Sequence, residues 1–208
     1  MSASPEPPLA ALSDSMGRVV AAMRRAMRAI YHVEPGHEDD AMARDAEHLA
    51  DSIGSAGTLG LGQPSEVRNT RSPLSGGMNP IAPPVTYEYG ERSIVAKVRF
   101  HEGYQGPPAC VHGGMVAALL DDALGRTRHL TGRNCVTGTL NIRYVRPTPV
   151  NADLVVHARI EAVHERKFTV TGEIVHEGLV TASAEAVFVF LDDGKFNALV
   201  EGARGASR

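Results

Sequence analysis

Gly106-Pro107-Pro108-Ala109-Cys110-Val111-His112-Gly113-Gly114, continuing as Met115-Val116-Ala117-Ala118-Leu119-Leu120-Asp121-Asp122-Ala123-Leu124-Gly125, is the stretch on which the reading of this chain turns. A rigid Pro-Pro turn hands over to His112-Gly113-Gly114, and an apolar helix with an acidic pair set into it follows. Glycines at a helix start let a ligand approach the backbone, and the unsatisfied N–H groups there favour negative charge. A carboxylate within an otherwise apolar helix is costly unless it is solvated, paired or used. The two oddities are read as halves of one active site.

On either side of this stretch the pattern has period two. Ile94, Ala96, Val98 and Phe100 alternate with Val95, Lys97 and Arg99 before it. After it, Leu140, Ile142 and Tyr144 alternate with Asn141 and Arg143, and Leu154, Val156, Ala158, Ile160 and Ala162 with Val155, His157, Arg159 and Glu161. Phe168, Val170 and Ile174 alternate with Thr169, Thr171 and Glu173, and Ala184, Ala186, Phe188 and Phe190 line a last strand. Half-buried strands with one wet face favour an antiparallel sheet. A single helix over about 113–130 falls between the second and third strands. The spacing therefore predicts an α+β layer fold, one long helix against five or six antiparallel strands.

Further from the centre, Met16, Val19, Val20, Met23, Met27 and Ile30 recur at three and four, which predicts an amphipathic helix over about 9–33. Arg18, Arg24, Arg25 and Arg28 take its other face, read as a solvated face balanced by the acidic 34–51 segment rather than as an anion or membrane surface. A second helix is expected over 37–53, with Met42, Ala46, Leu49 and Ile53 as its stripe. His37, Glu38, Asp39 and Asp40 are read as a helix-start charge cluster, because adjacent residues do not share a helix face to hold a metal. Residues 54–84 are rich in Gly, Pro, Ser and Asn and read as a linker. Their Gly57-Thr58-Leu59-Gly60-Leu61-Gly62 misses the dinucleotide spacing and follows no predicted strand. The expected organisation is a helical extension over 1–53 with residues 1–8 disordered, a linker over 54–84, a main domain over 85–195 and a flexible tail over 196–208.

Composition narrows the function classes. A chain of 208 residues holds one domain with a full core, and its net charge of −3 gives no reason to expect a nucleic-acid partner. No apolar run approaches a membrane span, and the polar, proline-rich start is unlike a signal peptide. Cys110 and Cys135 make no disulfide framework, so a cytoplasmic location is the expectation. There is no G-x-S-x-G elbow, H-E-x-x-H pair, C-x-x-C pair or P-loop. His157, His164 and His176 are too scattered for a metal site, and neither metal nor cofactor is expected.

His112-Gly113-Gly114 with Asp121 nine residues after the histidine, then Thr137, Leu140-Asn141-Ile142-x-Tyr144-x-Arg146-Pro147 and the Glu165-Arg166-Lys167-Phe168 turn, resembles the hotdog-fold acyl-CoA thioesterases. The similar subgroup is the PaaI-like one that includes the mammalian thioesterase superfamily members, and the resemblance spans 79–191. It implies a curved antiparallel sheet wrapped round a central helix, a homodimer or dimer of dimers, and cofactor-free hydrolysis of acyl-CoA to a carboxylate and CoA. It also implies that Asp121 is the catalytic carboxylate, Gly113 the backbone donor to the thioester oxygen and Thr137 a hydroxyl that helps place the water. Gly114 and Asn141, in the same motifs, become expected substrate contacts. Some relatives carry Asn or Gln six residues before the histidine; here Gly106 stands there, with Gln105 beside it.

The chemistry stands beside the resemblance. A thiol with a pKa near 8.5 leaves with little help, so the needs are a stabilised oxyanion and a base or nucleophile. An ionised aspartate is either, and the Gly113 N–H at a helix N-terminus suits the oxyanion. Gly113 and Asp121 lie about 12 Å apart along one helix, yet both must come within about 3 Å of the reacting atoms. A site shared across a twofold dimer solves this, one helix from each subunit.

Several roles stay open at this level. Asp121 and Asp122 both flank the apolar face formed by Val116, Leu119, Leu120, Ala123 and Leu124, and only the family spacing selects Asp121. His112 is a general base or a residue whose ring fixes the turn, the second being favoured. Cys110 reads as a small core residue more readily than as a nucleophile. Arg166 and Lys167 hold CoA phosphates or form a solvated turn, and Arg143 and Arg146 share that ambiguity. The rival functions are an acyl-CoA-binding scaffold without turnover and a hotdog enoyl-CoA hydratase.

Overall fold

Each period-two segment becomes a strand whose apolar side faces one helix. The structure, a computed structural model, describes residues 14–34, 36, 39–55, 70–192, 194, 195, 198, 201 and 202. The expected disorder of residues 1–8, the Gly57 to Gly62 segment, and most of the expected tail lie outside the described residues. The strands are β1 (Val85–Tyr89), β2 (Ser93–Val98), β3 (Cys135–Tyr144), β4 (Leu154–Val163), β5 (Lys167–His176) and β6 (Leu179–Phe190). They form one antiparallel sheet in the order β1-β2-β4-β5-β6-β3. The helices are α1 (Asp14–Ile30), α2 (Asp40–Ser55), α3 (Gly113–Arg126) and the short α4 (Arg128–Thr131), with a 3-10 turn at Glu102–Tyr104.

α3 buries Val116, Leu119, Leu120, Ala123 and Leu124, spaced i, i+3, i+4, i+7, i+8, which is one stripe of a helix. That stripe lies against every strand from β2 to β6. The sheet answers with buried Ile94, Ala96, Val98, Leu154, Val156, Ala158, Ile160, Phe168, Val170, Ile174, Ala184, Ala186 and Phe188. Phe168 stacks between Phe188 and Phe190, with ring centroids 5.0 and 5.1 Å away. This is the expected α+β hotdog arrangement, one long helix on an antiparallel sheet with helices added at the N-terminal side.

Gly172 sits where the helix comes closest. It occupies the α3-facing position between Val170 and Ile174, and a Cβ there would lie 2.5 Å from Leu124 Cδ1 and 2.9 Å from the His157 carbonyl oxygen. A bulge between Thr137 and Thr139 has a different use. Thr137 pairs with Phe188 and Leu140 with Ala186, both α3-facing positions. Residues three apart on a regular strand point to opposite faces; the extra residue lets both face the helix.

The N-terminal helices behave differently from one another. α1 buries Val20, and Arg24 donates from Nη2 to the Asn79 carbonyl at 3.1 Å. Within the segment read as a linker, Thr70 and Ala82 are buried, and the Ile81 carbonyl accepts from Tyr104 Oη at 2.8 Å, so residues 70–84 are packed surface. α2 buries none of its residues, and Met42, Leu49 and Ile53 of its stripe are exposed. Asp39 Oδ1 accepts from the Ala41 and Met42 N–H groups, both at 3.0 Å, which is the helix-start role expected of that acidic cluster; His37 and Glu38 lie outside the described residues.

Replacing Gly172 with alanine is expected to destabilise the fold by about 1–3 kcal/mol, since either α3 or the β4 backbone must shift. Urea unfolding measures this, and an unchanged midpoint would mean that α3 does not press on β5 there.

Candidate active site

The 105–114 loop is built around the His112 ring. His112 is the N-cap of α3, and its Nδ1 accepts the Gly114 N–H at 3.0 Å. An accepting Nδ1 carries no proton, and this hydrogen bond ties the ring to the first turn of α3. Glycine stands on both sides for lack of room. A Cβ at Gly106 would lie 2.9 Å from His112 Cα, and one at Gly114 3.1 Å from His112 Nδ1. No Asn or Gln side chain fits at position 106 on this backbone.

Gln105 does not replace that polar group. Its Oε1 accepts the Ala109 N–H at 2.8 Å and its Nε2 donates to Tyr31 Oη, so both ends are occupied. Gly113 is the first residue of α3, and its N–H has no hydrogen-bond partner among the described residues. Its carbonyl is held by Tyr144 Oη at 2.9 Å, while a Cβ would meet the Tyr144 ring only at 3.6 Å. Crowding within the chain therefore does not demand glycine here, and the backbone donor is left open to a ligand.

The two neighbouring acids have separate environments. Asp122 is tied down: Tyr87 Oη donates to Oδ2, Arg126 Nε donates to the same oxygen at 2.9 Å, and Ser75 Oγ donates to Oδ1 at 3.4 Å. The Arg126 guanidinium also lies 4.1 Å from the Tyr87 ring centroid and donates to Ser75 Oγ at 2.7 Å. Burial, then the Asp122 charge, push the Tyr87 hydroxyl well above the usual phenol range, so it stays a donor. Asp122 is thus the anchor of a structural cluster rather than a passive neighbour.

Asp121 is exposed, and its Oδ1 accepts a long hydrogen bond from Thr137 Oγ1 at 3.5 Å. Partial desolvation raises its carboxyl pKa, the charge of Asp122 raises it further, and the Thr137 hydroxyl works against both. Both acids, Thr137, Arg126, Arg128, Cys135 and Phe188 line a cavity of about 310 Å³, with Ser72 on its rim. Burial pushes the Cys135 thiol up, away from thiolate. Cys110 is half-buried, bridged to Pro149.

The remaining expected residues divide. Lys167 pairs with Val189, which pairs on its other side with Val136, so the Arg166–Lys167 turn lies two strand spacings, about 10 Å, from the Thr137 end of β3. Both side chains are exposed, as phosphate-binding groups or a solvated turn would be. Asn141 is elsewhere. It lines a second hollow of about 550 Å³ with Arg143, His157, Arg159 and Glu173, on the sheet face away from α3. One chain therefore joins Asp121 with Thr137, and His112 with Gly113 and Gly114, but does not bring Asn141 to either. Among the described residues no group of three or more His, Cys, Asp or Glu is placed to hold a metal, and no helix is long and apolar enough to cross a membrane. Sequence reasoning missed the Tyr144 tether to Gly113; the aromatic in the β3 motif was its only signal.

Comparison with known proteins places the fold in a family. The thioesterase superfamily model matches residues 110–183. Acyl-coenzyme A thioesterase THEM4 of Rattus norvegicus is 32% identical over 111 residues, 52% of this chain and 48% of that protein. Acyl-coenzyme A thioesterase THEM5 of Homo sapiens is 30% identical over 87 residues, 42% of this chain and 35% of that protein. The chain thus spans less than half the length of these curated relatives. A crystal structure of a thioesterase superfamily protein superposes with a TM-score of 0.77 at 30% identity, covering 88% of this chain and 93% of that one. A variant of a hypothetical thioesterase protein from Streptococcus pneumoniae, at 14% identity and a TM-score of 0.50 over 52% of this chain and 91% of its own, shares the fold. With a likeness that runs through nearly the whole of a solved superfamily member, this chain belongs to the thioesterase superfamily.

Proposed function

We propose that this chain hydrolyses acyl-CoA thioesters to a carboxylate and CoA, as a homodimer whose two sites each take groups from both subunits. The observation that carries the reading is the contrast between two adjacent acids. Asp122 is consumed by Tyr87 and Arg126, whereas Asp121 is solvent-facing, beside a hydroxyl, in a cavity. That the similar THEM4 and THEM5 proteins are acyl-coenzyme A thioesterases supports the thioester class.

Asp121 activates the attacking water as a general base, or attacks the carbonyl itself; Thr137 steadies the carboxylate or the water. Negative charge then builds on the thioester oxygen. Gly113 of the partner subunit meets it with a free N–H, reinforced by the positive end of α3. The thiolate of CoA leaves without a strong acid because its pKa lies near 8.5. The same-chain Gly113 is about 12 Å from Asp121 along α3 and cannot serve the same carbonyl. β3 ends the sheet with an unpaired edge, and two copies meeting there would lay their helices side by side.

Asp121→Asn is expected to lower thiol release from acyl-CoA by about 10²–10⁴-fold with binding retained. Release by the variant at the wild-type rate would remove Asp121 from the chemistry, and loss of enoyl absorbance without free thiol would mark a hydratase instead. Asp122→Asn is expected to act on stability, by roughly 1–3 kcal/mol, through the orphaned Tyr87 and Arg126.

The pH profile carries a sign. The working form of Asp121 is the ionised one, so activity rises with pH through a pKa that lies above the ordinary aspartate value of about 3.9. Thr137→Val removes the interaction that lowers this pKa, so the acidic limb should move to higher pH. A shift to lower pH, measured from kcat/KM against pH, would contradict the assignment.

A further inference from the structure

Glu102 is a buried carboxylate outside the site described above, at 8% exposure, in the 3-10 turn that precedes the 105–114 loop. One of its oxygens, Oε1, accepts from Arg28 Nε and from His32 Nε2, each at 2.8 Å. Both donors belong to the C-terminal end of α1 and the turn after it, and their side chains are 56% and 62% exposed against 10% for Glu102. The donors thus come from the solvent side to cover a buried acid. The His32 hydrogen bond first, then the Glu102 backbone N–H and Arg28, hold the Glu102 carboxyl well below the usual carboxylate range. Withdrawing Arg28 and His32 would leave a buried charge uncompensated, which is strongly unfavourable.

A second tie runs in parallel. Tyr31, between Arg28 and His32 in sequence, accepts from Gln105 Nε2, and Gln105 Oε1 accepts the Ala109 N–H. Ala109 has φ +60°, a left-handed conformation that a non-glycine residue keeps only when its surroundings hold it there. Both ties converge on His112. Its N–H donates to the Tyr104 carbonyl at 2.8 Å, and Gln105 bridges Val111. From α1 to the residue before Gly113 two paths run: Arg28 and His32 to Glu102, whose turn carries the Tyr104 carbonyl that accepts the His112 N–H, and Tyr31 to Gln105, which bridges Val111 beside His112. All of α1 and Glu102 lie outside residues 110–183, the part matched by the superfamily model.

We propose that α1 is a positioning element of the active site: Arg28, Tyr31 and His32, acting through Glu102 and Gln105, seat the 105–112 loop and so aim the Gly113 N–H at the thioester oxygen. This rests on the thioesterase reading for its consequence in catalysis, though not for the loop seating itself. A donor displaced by about 1 Å loses much of its effect on a transition state while ground-state binding changes little. The signature is a fall in kcat with KM nearly kept.

The test uses the full chain with hexanoyl-CoA as substrate and amide hydrogen exchange as a second readout. The variants are Arg28→Gln/His32→Gln and Tyr31→Phe, all on exposed side chains, with Arg25→Gln as a same-helix charge control and Arg28→Lys as the conservative replacement. The double variant is expected to lower kcat roughly tenfold with KM within about twofold, and to speed exchange of the His112 amide roughly tenfold. Tyr31→Phe should shift both the same way by less, Arg28→Lys should keep most of the wild-type values, and Arg25→Gln should change neither. Unchanged His112 exchange in the double variant would overturn the proposal, as would an equal effect from Arg25→Gln. Absence of hydrolysis by the wild type would count against the thioesterase reading alone, because the exchange readout decides the seating without turnover.

Discussion

A backbone donor and a carboxylate fixed about 12 Å apart on one rigid helix cannot act on the same carbonyl. Much of this molecule follows from that constraint. In the proposed mechanism Gly113 and Asp121 of one α3 serve different centres, which asks that the helix be held straight against the sheet. The apolar stripe from Val116 to Leu124 does this by lying on five strands, and Gly172 lets it press down onto β5. With the stripe committed to the core, its flanks are where polar groups stand. Asp121 remains open beside Thr137, whereas Asp122 is drawn back under β1 by Tyr87 and Arg126.

Each end of α3 is also locked from outside the helix. At the start, His112 caps the first turn, Tyr144 from β3 holds the Gly113 carbonyl, and the preceding loop is braced by Gln105. Towards the far end, Arg126 joins Asp122 to Ser75 and Tyr89. Two of the bracing residues, Ser75 in the 70–84 segment and Tyr31 in the turn after α1, come from the part of the chain outside the superfamily match. The N-terminal region is therefore tied by hydrogen bonds to the loop before α3 and to the Asp122–Arg126 part of the helix.

Much of the fold was legible in the sequence because one-sided burial writes itself as periodicity. Ile94, Ala96 and Val98, or Leu154 to Ile160, alternate without interruption, and the α3 stripe has the spacing of one helix face. The proposed pairing of Asp121 with Gly113 through a dimer rests on arithmetic on the helix rise, which needs only the sequence. What periodicity could not show were long-range partners and irregular backbone. Nothing near Asp122 in sequence announces Tyr87, 35 residues earlier, so two adjacent acids looked alike. The β3 bulge that turns Thr137 towards α3 leaves no mark that separates it from an ordinary strand threonine. Residues 70–84 have a linker's composition, yet their glycines and prolines make turns that pack, which composition alone does not distinguish. Asn141 belongs to a motif with Thr137 only three residues beyond the bulge, but strand alternation sends it to the other face.

If one active site draws Asp121 and Gly113 from different subunits, mixing two inactive subunits restores turnover. Asp121→Asn removes the carboxylate, and Gly113→Pro removes the N–H at a first-turn helix position where proline is tolerated. Each variant alone should be nearly inactive. Unfolded and refolded together in equal amounts, half the dimers would be mixed, and each mixed dimer would hold one intact site, so thiol release should recover to about one quarter of the wild-type rate. No recovery, with mixed dimers shown to have formed, would mean that both groups serve a site within a single chain, and the shared-site account would be wrong.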